Sequence, residues 1–75
     1  MSEVVWSKGA GDDLKKLDRV VAKRVMQAVV RYAESGHGDV KRLQGVEREW
    51  GLRVGDWRVR FTLGTGGEIV VLHVL

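Results

Sequence analysis

Between residues 12 and 35 the apolar positions recur at intervals of three and four. Leu14, Leu17, Val21, Val25, Val29 and Tyr32 fall on one side, with Lys16, Lys23, Gln27, Arg31 and Glu34 on the other. That period predicts an amphipathic helix or a helical hairpin. Asp18 is suited to cap a second helix and so to divide the segment, while Asp12 and Asp13 suit the positive end of the first. Gly36 ends the pattern, because glycine reaches the left-handed cap conformation without a Cβ clash. From Trp50 the period falls to two. Trp50, Leu52 and Val54 share a face, and after Gly55-Asp56 so do Trp57, Val59 and Phe61. Gly55 leads a two-residue turn, as a type II′ hairpin requires.

The remaining segments complete the outline. Glu3-Val4-Val5-Trp6 reads as a short strand, after which Ser7, Gly9 and Gly11 interrupt regular structure. Gly36 to Asp39 forms a turn, and Val40 to Glu47 a polar connector. Glu68 to Leu75 is a last strand, apolar on both faces and therefore expected at the centre of the sheet and covered on both sides. The fold class expected is α+β: an N-terminal strand and a helical hairpin packed on a small, largely antiparallel sheet, with residues 1–75 forming a single domain.

Composition narrows the chemistry. The 75 residues contain no cysteine, which excludes a disulfide framework, a thiolate nucleophile and a cysteine zinc site, and fits a reducing cytoplasm. Two histidines cannot build a structural metal site alone, and no phosphate loop, paired glycosidase carboxylates or Ser-His-Asp order is present. No metal or cofactor is expected. Apolar runs are far shorter than the roughly 20 residues that span a bilayer, and the first residues have no secretory h-region. The expectation is a cytoplasmic protein with no membrane partner. A chain this short buries only about 60% of its unfolded surface, and such marginal stability favours a stabilising partner.

Strand parity supplies the first candidate site. If the Trp57 face packs under the helices, Arg53, Arg58 and Arg60 share the opposite face. Guanidiniums this close repel unless acidic neighbours, with Glu49 and Asp56 nearest in sequence, or a bound anion compensate, and their planar forks suit phosphate oxygens. An ordinary solvated face with local ion pairs fits the same spacing. The helix basics Lys15, Lys16, Arg19, Lys23, Arg24 and Arg31 read as a solvated face, and His37 as a turn residue. His73 lies among apolar neighbours, where a satisfied core or interface imidazole is the simpler reading. Trp6, Trp50 and Trp57 read as packing residues, with base stacking open to any that borders the arginine face.

Taken together, Leu43-Gln44-Gly45, the run Trp50-Gly51-Leu52-Arg53-Val54-Gly55-Asp56-Trp57-Arg58-Val59 and the strand Val70 to Val74 resemble the RelE/ParE toxin superfamily of toxin-antitoxin modules. The segment from Arg53 to Val59 is the specific part, and the remaining elements follow in the family's order. The resemblance implies a toxin held in check by a cognate antitoxin. RelE-like members are ribosome-dependent endoribonucleases that cut messenger RNA using the 2′-hydroxyl as internal nucleophile and basic residues to stabilise the phosphorane. On this reading Arg58 contacts the scissile phosphate, Arg53 is a second basic group, and the parity argument adds Arg60 as a phosphate-binding residue. Arginine stays protonated and is unsuited to general-base work, which leaves His73 as the catalytic candidate for proton transfer. Gly51 stands where RelE-like enzymes carry another basic residue. Leu75 precedes the family's C-terminal tail, which carries a further arginine and often a tyrosine or histidine. ParE-like members share the fold and act by binding DNA gyrase, and these two departures suit that alternative, as does an inactive module of the same fold.

Overall fold

Side-chain caps set the helix boundaries. In the computed structural model, which describes residues 2–45 and 48–75, the Ser7 hydroxyl accepts from the Ala10 amide at 3.1 Å and starts helix α1, Lys8–Lys15. The Asp18 carboxylate accepts from the Val20 amide at 3.1 Å and starts α2, Arg19–Ser35. Gly36, at φ +76°, closes α2 by donating to the Tyr32 carbonyl at 2.8 Å. The strands are β1 (Val4–Trp6), β2 (Asp39–Arg42), β3 (Glu49–Val54), β4 (Trp57–Leu63) and β5 (Ile69–Val74). They form one sheet in the order β1-β5-β4-β3-β2, antiparallel except for the parallel β1/β5 pair. Gly55 takes φ +61° while Asp56 stays at negative φ, the type II′ combination, and Val54 pairs with Trp57 across the turn.

The core lies between α2 and one face of the sheet. Val25, Val29 and Ala33 of α2 meet Leu52, Val54, Val59, Phe61, Ile69, Val71 and Val74, with Ala10 entering from α1. Phe61 is flanked by the rings of Tyr32 and Trp50, at centroid distances of 5.6 and 6.1 Å. Trp57, Val59 and Phe61 thus face the helical layer, whereas Arg58 and Arg60 are exposed on the other side. No polar or charged residue is buried among the described residues, so the ionisable chemistry lies at the surface.

Several expectations need correction. Gly9 and Gly11 do not interrupt regular structure; both lie inside α1. A Cβ at Gly9 would stand 3.2 Å from the Leu72 carbonyl oxygen and 3.3 Å from the His73 ring, so this glycine lets the helix approach β5 closely. Asp12 and Asp13 miss the positive end of that helix, because Ser7 caps it a turn earlier. The polar connector hides β2, whose four residues include Asp39, Lys41 and Arg42; Val40 alone turns towards the core. The connector's last two residues, 46 and 47, lie outside the described residues. Strand β5 does lie inside the sheet, but only one of its faces is fully covered: Val70 and Leu72 are half-buried and His73 is exposed.

Gly11 differs from Gly9 in having, among the described residues and apart from its chain neighbours and its own helix backbone, no atom within 4 Å of the place its Cβ would occupy. Gly11→Ala is therefore expected to stabilise the protein by about 1 kcal/mol, the helix-propensity difference. For a domain of this size the thermal midpoint should rise by roughly 4–8 °C.

Candidate functional site

Residues opposite one another in an antiparallel pair share a face of the sheet. Arg53 of β3 pairs with Arg58 of β4 and with Asp39 of β2, which forms one row across the face turned away from the helices. One pleat along, Gly51 of β3 lies between Lys41 of β2 and Arg60 of β4, and Arg60 in turn pairs with His73 of β5. Lys41, Arg53, Arg58, Arg60 and His73 therefore share this face of the sheet. All five residues are exposed. Among the described residues no carboxylate comes within 4 Å of Lys41 or of these arginines, so Glu49 and Asp56 do not neutralise the face. Arg53 is steadied by its Nε–H, which donates to the Gly55 carbonyl at 3.2 Å.

His73 reaches this face through a bulge. Phe61 pairs with Val71, yet the preceding Arg60 pairs with His73, so Leu72 is the extra residue on β5. Strict alternation from Ile69 and Val71 would have turned His73 into the core. The bulge instead returns Val74 to the core and puts His73 outside, with its side chain 55% exposed. Of the two expectations for His73, a core or an interface imidazole, the core position is overturned by that one added residue.

Helix α1 holds the bulged strand in place. Beyond β1, which ends at Trp6, the edge of β5 has no strand partner among the described residues; side chains of Ser7 and the helical segment serve instead. The Ser7 hydroxyl donates to the Leu72 carbonyl at 3.1 Å, and Asp13 Oδ2 accepts from the Val74 amide at 2.9 Å. The same Asp13 oxygen stands 3.5 Å from His73 Nδ1, leaving Nε2 as the nitrogen not engaged by the fold. Asp13→Ala is expected to cost about 1–3 kcal/mol, because the buried Val74 amide loses its acceptor. Asp13→Asn, which retains a carbonyl oxygen, should recover most of that loss in urea denaturation.

Two parts of this site were not foreseen. Lys41 was hidden in the connector, although Val40 between charged neighbours carried the alternation of a short strand. The second is a cavity of about 240 Å³ above Gly51, bordered by Lys41, Arg53, Arg58, Asp39 and Leu43. The tryptophans take no part in the face: Trp6, Trp50 and Trp57 pack against the core. His37 is exposed at the end of α2, its Nδ1 3.1 Å from the Ser35 hydroxyl. Among the described residues no group of three or more histidine, aspartate or glutamate side chains is placed to hold a metal ion. No helix among them is long and apolar enough to cross a membrane.

A second surface stands out on the exposed side of α2. Met26 and Val30 are 44% and 43% exposed, one turn apart, and Val20 nearby is 74% exposed. Arg19, Lys23 and Arg31 border this apolar groove, with Glu34 as its one acidic neighbour.

Residues 4–75 match the family model described as the ParE toxin of the type II toxin-antitoxin system parDE. Among solved structures, the RelB-RelE antitoxin-toxin complex from Methanococcus jannaschii is similar at 23% identity. It covers 95% of this chain and 87% of the other, with a TM-score of 0.78. The archaeal RelE-RelB complex from Pyrococcus horikoshii is similar at 20% identity, covering 97% and 91%, with a TM-score of 0.76. The intact E. coli RelBE complex gives 15% identity, 99% and 94% coverage and a TM-score of 0.78. Curated proteins include no significant match.

Proposed function

This chain belongs to the ParE toxin family of type II toxin-antitoxin systems, and from that premise we propose that it acts as a RelE-like, ribosome-dependent endoribonuclease of messenger RNA. The observation that carries this reading is the outer face of the β3–β4 hairpin, where Arg53, Arg58 and Arg60 project to solvent with no carboxylate partner among the described residues. Such a face is complementary to a polyanion. In the proposed reaction the 2′-oxygen of a ribose attacks the adjacent phosphorus while the bond from phosphorus to the 5′-oxygen breaks. The products are a 2′,3′-cyclic phosphate and a 5′-hydroxyl. Arg58 and Arg53 stabilise the charge that develops on the phosphorane, Arg60 holds the neighbouring backbone, and His73 is the candidate for proton transfer. The ribosome presents the messenger RNA to this face.

The partner that restrains the toxin is a cognate antitoxin. The similar structures named above include RelE bound to RelB, and the α2 groove supports a corresponding contact here. Its exposed Met26 and Val30 within a basic rim suit an amphipathic helix with acidic flanks. Two copies of the same basic rim would repel, which argues against self-association through this groove.

The second reading is ParE-like binding to DNA gyrase, favoured by the family model itself and by Gly51 in place of a basic residue. Inducing the gene and mapping messenger RNA ends, alongside a supercoiling assay with purified gyrase, separates the two. New 5′ ends within translated codons, with supercoiling unaffected, support the nuclease. Intact messages with inhibited supercoiling overturn it in favour of gyrase.

A further inference from the structure

We propose that the notch above Gly51 is a phosphate subsite for the RNA backbone, closed by Lys41 of β2. The inference rests on the endoribonuclease reading and adds to it a second anion position beside Arg58. Gly51 has no side chain, and among the described residues, its chain neighbours aside, the only atom within 4 Å of a Cβ placed there is a Leu43 methyl carbon at 3.5 Å. The sheet is therefore low at this point, with the Leu43 side chain on one side of the dip.

Three of the residues bordering the notch, Lys41, Arg53 and Arg58, are cationic, while Leu43 gives it an apolar wall and Asp39 an acidic one. Gly51 is paired with Lys41 on one side and Arg60 on the other; Arg53 follows two residues along its own strand, with Arg58 diagonal to it. An anion resting on Gly51 thus meets Lys41, Arg53 and Arg58 at the border of the cavity, with Arg60 paired across on β4; Glu49, two residues back along β3 on the same face, is the acidic group on the far side. Asp39 borders the cavity at the Arg53 end, so its charge directs an anion away from that corner and towards Lys41 and Arg60. Lys41 suits the position because an ammonium on a flexible stem can close over a phosphate without a fixed approach angle, whereas the arginine forks are more directional. The row Lys41, Gly51, Arg60 lies one pleat, about 7 Å, from the row Arg53, Arg58. Two successive backbone phosphates can therefore be held at once, one at each row.

The test measures the affinity of the purified protein for a single-stranded RNA oligonucleotide across a series of salt concentrations. Lys41→Met is expected to weaken binding about fivefold to tenfold and to lower the salt dependence by close to one phosphate contact. Gly51→Lys introduced into the Lys41→Met protein should restore both, since a new ammonium then rises from the floor of the same notch. The Gly51 backbone is compatible with a side chain, because Gly51 is not among the residues at positive φ. Circular dichroism spectra that superimpose on the wild type check the fold of each variant. If Lys41→Met retains the wild-type affinity and salt slope while Arg58→Ala loses affinity, the subsite is wrong and the nuclease reading stands. If the wild-type protein binds the RNA without salt dependence, both fall. Failure of Gly51→Lys to restore binding in a folded protein also overturns the subsite.

Discussion

Arg58→Ala is expected to relieve growth arrest and to lower messenger RNA cleavage about a hundredfold while leaving the protein folded. Losing one preorganised contact to a transition-state phosphate costs on the order of 3 kcal/mol. The side chain is exposed and makes no ion pair among the described residues, so its removal takes little from stability. The strand is unaffected because Arg58 is tied to Leu75 through its backbone, each amide donating to the other's carbonyl at 2.8 Å. Arg58→Lys should restore activity only in part: the charge returns, but the bidentate fork does not. Colony growth after induction and primer extension on a translated message give the readouts, with circular dichroism as the folding control. A folded Arg58→Ala protein that arrests growth as the wild type does would move the effect to another surface and favour gyrase binding.

The other large effect is on folding. Phe61 is 2% exposed, among the largest of the fully enclosed side chains, and touches the core from both sheet and helix through Trp50 and Tyr32. Phe61→Ala is expected to cost about 3–5 kcal/mol through lost burial and the cavity left behind. At roughly 0.05–0.15 kcal/mol per residue, that is a large fraction of the stability of so short a chain. The variant should be mostly unfolded or melt tens of degrees lower, with the loss visible in far-ultraviolet circular dichroism. Phe61→Leu, which keeps most of the volume, should retain a cooperative transition. A Phe61→Ala protein that melts within a few degrees of the wild type would mean that the core is not centred here.

What could be read in advance depended on how regular each segment was. The β3–β4 hairpin and α2 were legible because their periods run unbroken for six residues or more, and Asp18, Gly36 and Gly55 each perform a capping or turning role that few other residues fill as well. Arg53, Arg58 and Arg60 followed directly from that parity. Strand β2 was hard to read, since four residues with one apolar side chain give only a single alternation between charged neighbours. With it went Lys41. The position of His73 depended on an extra residue that alternation cannot announce, because a bulge is settled by what lies beside the strand, here Ser7 and Asp13 of the helical segment. Gly9 misled for a related reason: a glycine needed for close helix-to-strand approach looks the same in one dimension as one that breaks a helix.

The parallel pairing of β1 with β5 bears on when the basic face is assembled during the protein's own synthesis. Val4, Val5 and Trp6 pair with Ile69, Val70 and Val71, and Ser7 is bonded to Leu72 across a separation of 65 residues. Such a closure carries the entropy of nearly the whole chain and is slow relative to local contacts. The hairpin bearing Arg53 and Arg58 can pair early, since its strands are adjacent. The strand that supplies His73 beside Arg60, and the backbone bonds that fix Arg58 to Leu75, come from the last residues described. A nascent chain therefore carries its arginines before it has the sheet that aims them, and the basic face is completed only when β5 has emerged and slotted between β1 and β4.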